Sequence, residues 1–236
     1  MENYTMIIWM NNFEDSFEEE VDRAYKSLLE IDKIEHIAPK YLTTYSLKEK
    51  GPNFEVTREN TEKQILENRD KDYPELGSVY SFYSSEDKKK MSGIMYVTGN
   101  RKTNFSDSLV IDIINLGLSQ DTNSRNEIIE LFKKLILINK AYYACITDFE
   151  NIDIFESYYD TKLADTPTSI FWINYWGEKA INKFKEREID IDIIKNDVFQ
   201  LDKFEKGYYV RLTETPILRD EYKLELQRLI NRRLKL

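Results

Sequence analysis

Apolar residues recur along this chain in two rhythms, every second residue in some stretches and every third or fourth in others, and the switches between them mark its elements. Tyr4 to Met10 is apolar with a β-branched centre, which predicts a strand. Phe13, Phe17, Val21, Tyr25 and Leu28 then follow at helical spacing. Ser16 with Glu19 predicts a capping box on that helix, and Glu18, Glu19 and Glu20 suit the positive end of its dipole. A strand is expected at Tyr41 to Leu47, then a polar, weakly helical segment from Thr57 to Asp70 whose stripe is little more than Ile65 and Leu66.

Strands at Val79 to Tyr83, Ile94 to Thr98 and Leu109 to Leu116, separated by the turn-forming stretches 84–87 and Gly99-Asn100, predict an antiparallel meander. Leu109 to Ile114 is apolar on both faces except at Asp112, which suits a central strand under a helix. A buried carboxylate needs a partner or a shifted pKa, so Asp112 is explained most economically by an edge position facing water. Ser124 and Glu127 fit a second capping box, ahead of a helix striped by Ile128, Leu131, Phe132, Leu135 and Ile138 that ends near Asn139. Tyr142 to Ile146 returns as a strand.

Past Pro167 comes an aromatic strand through residues 169–177, a helix around Glu178 to Glu186, the alternating segment 189–193 and a strand from Tyr208 to Thr213. A closing helix follows Pro216, with Tyr222, Leu226, Leu229 and Ile230 facing inward and Arg228, Arg232, Arg233 and Lys235 at its carboxyl end. The order of elements predicts an α+β fold, a mixed and mainly antiparallel sheet with packed helices. It is read as a single domain over 1–236, with a sub-domain boundary near 148–168 between halves of similar size. Trp9, Trp172 and Trp176 are expected in the aromatic core, because strand settings let each bury a large area.

Composition narrows the function classes. In 236 residues, 41% hydrophobic content is enough to build a core, and only 7 Gly and 5 Pro argue against low complexity. No apolar run approaches the roughly 20 residues that span a bilayer, which speaks against a membrane protein. The first residues lack the pattern of a secretory signal, so the cytoplasm is the expected compartment. A single Cys145 excludes an internal disulfide and zinc sites built on cysteine pairs. A net charge of -9 disfavours nucleic acid, whose phosphates require concentrated Lys and Arg, and suits a basic protein partner.

Chemistry is sparse. His36 is the one histidine and has no evident nucleophile near it in sequence; its connection between a helix and a strand reads as surface. The acidic stretch 148–153 leaves a strand end, yet its spacing is not that of a calcium loop. Glu86-Asp87-Lys88 offers the Glu-x-Lys element of metal-dependent nucleases but sits in a polar turn. Phosphate loops, a nucleophile elbow and a dinucleotide fingerprint are absent. The expectation is therefore a chain that is not an enzyme, with no cofactor, no metal and no catalytic residue.

Three segments carry a family resemblance. They are the opening Ile8-Trp9-Met10-Asn11-Asn12-Phe13-Glu14-Asp15-Ser16, the aromatic Trp172-Ile173-Asn174-Tyr175-Trp176, and Gly207-Tyr208-Tyr209-Val210-Arg211-Leu212-Thr213-Glu214-Thr215-Pro216. In that order they resemble the immunity proteins of bacterial polymorphic-toxin systems, the type numbered fifty-two; the middle, from Pro52 to Glu86, departs most. The resemblance implies a cytosolic antidote that binds a cognate toxin from a type VI or similar secretion system, with nucleases of restriction-endonuclease fold as the associated toxins. Asp148, Glu150, Asp153, Glu156 and Asp160, flanked by Phe155, Tyr158 and Tyr159, are then the candidate toxin-binding residues, as a loop-like acidic run among aromatics. A carboxylate-dependent, metal-using hydrolase and a non-enzymatic adaptor remain the alternatives, and self-association is left open.

Overall fold

Five helices and nine strands are formed by the residues that a computed structural model describes, which are 2–10, 15–43, 50–87, 89–99, 106–149, 151, 167 and 169–236. The strands are β1 (Asn3–Met10), β2 (Tyr41–Leu42), β3 (Ser78–Tyr83), β4 (Gly93–Thr98), β5 (Asp107–Ile114), β6 (Ala141–Asp148), β7 (Ile173–Trp176), β8 (Gln200–Phe204) and β9 (Gly207–Arg211). The helices are α1 (Phe17–Asp32), α2 (Arg58–Glu67), α3 (Thr122–Asn139), α4 (Glu178–Glu186) and α5 (Glu221–Arg233). All nine strands join one sheet in the order β2-β3-β4-β5-β1-β6-β7-β9-β8. Every pairing along it is antiparallel, so the fold is α+β.

The apolar run of β1 is central because both its neighbours are apolar too. Met6 faces Ile111 of β5 on one side and Ile146 of β6 on the other, and Ile8 faces Leu109 and Ala144. Their side chains share one face of the sheet, where Val21, Ala24, Leu28 and Ile31 of α1 and Ile128, Phe132 and Leu135 of α3 complete the core. A polar thread runs through it: Tyr96 donates to Asn139 at 2.5 Å, and Asn139 donates to Ser27 of α1. The α1 capping box is formed, with Ser16 and Glu19 bonded reciprocally.

Where α1 meets the far end of the sheet, charge is buried. Glu20 is 2% exposed and takes Nη2 of Arg69 on both carboxylate oxygens at 2.7 Å. Gly99 makes room for them. It sits at φ +76, and a Cβ there would lie 2.7 Å from Nη2 of Arg69 and 2.8 Å from a Glu20 oxygen.

Several expectations are corrected. The cap of α3 is Asp121 rather than Ser124; its carboxylate accepts from Asn123 N and from the Ser124 hydroxyl, so the helix starts a turn earlier. In the aromatic segment only Ile173–Trp176 is strand, since the Asn174 amide bonds both N and O of Phe171 and bends the backbone ahead of it. Tyr222 does not face inward but is 79% exposed. The buried face of α5 includes Gln227 and Asn231, which bond to Asn151, Ser169 and Ile170. Of the strand expected at Tyr41 to Leu47, β2 takes Tyr41–Leu42, and residues 44–49 lie outside the described ones.

Asp112 is not at an edge. It lies in the interior strand β5, between β4 and β1, on the face turned away from α1 and α3.

Candidate partner-binding surfaces

Three places could receive another molecule. The first is the exit of β6, where the sequence suggests an acidic face. Asp148 is buried there, at 3% exposure, and accepts from Asn151 N at 2.9 Å and from Leu218 N at 3.2 Å. Its carboxylate ties the strand end to the segment entering α5, which corrects its placement on an exposed face. Glu150, Asp153, Glu156, Tyr158, Tyr159 and Asp160 lie outside the described residues.

The aromatic residues divide. Trp172 and Trp176 are 1% and 0% exposed, and Trp176 meets Phe184 of α4 edge-on at 5.1 Å. Trp9 is only half-buried and stacks on Tyr143 at 4.9 Å.

The second place is a cleft of about 570 Å³ between α3, the start of β6 and α4. Buried Ile136, Ala141 and Tyr175 line it, together with Lys140, Lys179 and Glu178. Lys179 lies over the Tyr142 ring, 5.0 Å from its centroid. Ammonium and carboxylate groups stand side by side here, so the cleft favours neither sign of charge. Cys145 is fully buried in β6, and burial pushes its thiol far above the ordinary value, which makes it inert. His36 is exposed. Among the described residues, no group of three or more His, Cys, Asp or Glu side chains could hold a metal ion. No helix of the described residues is long and apolar enough to cross a membrane.

The third place is the outer face of β3, β4 and β5. Side chains there alternate with the buried row, and the register sets Val79 opposite Val97 and Met95 opposite Val110. Val79 is 54% and Met95 41% exposed, while Val97 and Val110 are half-buried. Apolar side chains on the water side of a sheet depart from the usual alternation of such strands. Within this face Asp112 accepts one hydrogen bond among the described residues, from the Thr5 hydroxyl at 3.0 Å. Two positions along β1, the Oδ1 atom of Asn3 is buried with no donor.

Asp112 weakens the fold it sits in. Burial pushes its carboxyl above the ordinary value, and the Thr5 bond offsets this only in part. The folded chain then holds the proton more tightly than the unfolded chain does. The contribution of Asp112 to stability is therefore present below its ordinary value of 3.8 and is lost as pH rises through the raised folded-state value. We expect Asp112→Asn to raise the Tm at neutral pH, with the gain vanishing on acidification; an equal gain at both pH values would show that desolvation of the carboxylate is not its source.

No protein-family model matches the chain, and no curated protein matches it. Among solved structures, the fold is similar to that of the Pseudomonas aeruginosa T6SS protein PA0821, with a TM-score of 0.64. That similarity covers 99% of this chain and 73% of the other at 9% sequence identity. At that identity the likeness is one of fold. It spans the whole sheet, including β2 to β4, the region of the chain where the sequence resemblance is weakest.

Sequence reasoning missed the outer sheet face. Its signal was present in Met95-x-Val97, where the second set of alternate positions in a meander strand is apolar as well.

Proposed function

We propose that this chain is a non-enzymatic antidote, an immunity protein that neutralises a cognate toxin of a type VI or similar secretion system through a stoichiometric protein-protein interface. The observation that carries the reading is the likeness of fold, across 99% of the chain, to a T6SS protein. The resemblance of three segments to immunity proteins agrees with it.

Charge agrees with it. A net charge of -9 suits a toxin that is itself basic, as a nuclease with a phosphate-binding groove is, and complementary charge speeds encounter. Glu150, Asp153, Glu156 and Asp160 would serve as the steering carboxylates, with Tyr158 and Tyr159 beside them. No catalytic step is required of the chain. Cytoplasmic residence follows from this reading, because the toxin must be met where it acts.

The test is survival of cells that express the toxin gene adjacent to this one, with and without this chain, together with co-purification of the two proteins. Rescue with a stable complex supports the antidote. Unchanged toxicity despite abundant folded protein, with no complex, refutes it. A melting temperature that rises on adding Mg²⁺ would instead favour the metal-using hydrolase.

A further inference from the structure

The outer face of β3, β4 and β5, which no described helix covers, carries the most informative combination of side chains in the molecule. Val79, Met95, Val97 and Val110 form an apolar field across β3, β4 and β5, and Asp112 is the charged group set among the residues of its central strands. Oδ1 of Asp112 takes the Thr5 hydroxyl, and the neighbouring Asn3 offers a buried carbonyl oxygen with no donor. These groups ask for hydrogen-bond donors. A guanidinium or ammonium group carries several donors and no acceptor, and it brings the charge that a half-buried carboxylate lacks.

Resting on the reading of the chain as an antidote, we propose that this outer face of β3, β4 and β5 is the surface that docks the toxin. An Arg or Lys of the toxin bonds Asp112, and an apolar surround seals on Val79, Met95, Val97 and Val110. Charge complementarity selects this occupant. A second copy of the chain would bring another Asp112 from the same acidic surface, and two carboxylates facing each other repel.

Size fixes the role of the face within the interface. Three strands about 4.8 Å apart, each about six residues of 3.4 Å, span roughly 10 by 20 Å. That is less than half of the roughly 800 Å² each partner buries in a stable complex. The face is the anchoring centre of a larger interface. A central, water-excluded charge among apolar residues is where truncation costs most. It is also a reason for a carboxylate to persist at a place where it opposes folding.

The experiment measures affinity for the toxin encoded beside this chain, made catalytically inactive, by calorimetry. Asp112→Lys and Met95→Arg are compared with Asp202→Lys, the same reversal of charge on the exposed edge strand β8. The proposal expects about a 30-fold or greater loss for each of the first two variants and less than about 3-fold for the third. Met95 is an exposed side chain, so its variant reports on binding even if Asp112→Lys folds poorly. Wild-type binding that survives both substitutions on the face overturns the docking surface and leaves the antidote standing. No binding by the wild-type chain overturns both. Sedimentation of the chain alone provides the last arm: a dimer that Met95→Arg dissociates would assign the face to self-association and overturn the proposal.

Discussion

Replacing Trp172 by alanine is expected to destabilise the chain by about 3 to 5 kcal/mol, enough to remove most of the stability of an ordinary domain. Three connections fail together. The indole is 1% exposed, its Nε1 donates to Thr213 O at 3.1 Å, and its ring lies 6.2 Å from that of Tyr4 in β1. Trp172 O also accepts from Leu212 N at 2.8 Å, so the residue fixes the segment leaving β9 as well as the core. Thermal and denaturant unfolding should show the loss before any assay of binding does. A variant that keeps its melting temperature and loses its partner would place Trp172 at an interface, against the burial described above.

Arg69→Ala is expected to cost a similar 3 to 5 kcal/mol, about the penalty for stranding a buried charge. Glu20 is the group stranded: both its oxygens face the Arg69 guanidinium, and it is 2% exposed. Breaking one side of such a pair is far more damaging than replacing both. The double variant Arg69→Ala with Glu20→Leu should therefore recover much of the loss in a denaturant titration. Double-variant stability no better than that of Arg69→Ala alone would show that the pair is not what holds α1 to the residues after α2. Gly99→Ala, which drives a methyl group into the pair and strains a positive φ, should behave like the single variant.

Much of this fold can be read from the chain because the strongest patterns are also the most buried elements. β1, the β3-β4-β5 meander, β6 and β9 follow apolar runs, and α1 and α3 follow helical stripes. Elements shaped by particular side-chain bonds were less legible. The Asp121 cap outcompeted Ser124 through a carboxylate already aimed at Asn123 N, and Asn174 bent the aromatic segment by bonding Phe171. α5 misled its hydrophobic pattern because Gln227 and Asn231 are buried in a network with the distant Asn151, Ser169 and Ile170. The edge strand β8, with exposed Asp202 and Lys203, has almost no apolar rhythm; it is held by β9, whose Gly207 lets that strand approach β7 where a Cβ would lie 2.3 Å from Trp176 O.

The candidate site divides in the same way. Acid among aromatics in the 148–160 stretch is visible in composition, but composition does not reveal that Asp148 turns inward to hold the amides of Asn151 and Leu218. Asp112 stands out as soon as it appears in an apolar strand. Whether it faced water at an edge or a neighbouring strand depended on strand order, and order is set by contacts between β4, β5 and β1 that lie far apart in sequence.

Titration of the purified product of the adjacent toxin gene with this chain, reading out that product's own activity, tests the proposed antidote role most directly. A stoichiometric antidote predicts activity that falls in proportion to added protein and ends near one chain per toxin. Activity that persists with the chain in excess, or that vanishes at a small fraction of the toxin concentration as under a catalytic inactivator, would contradict it.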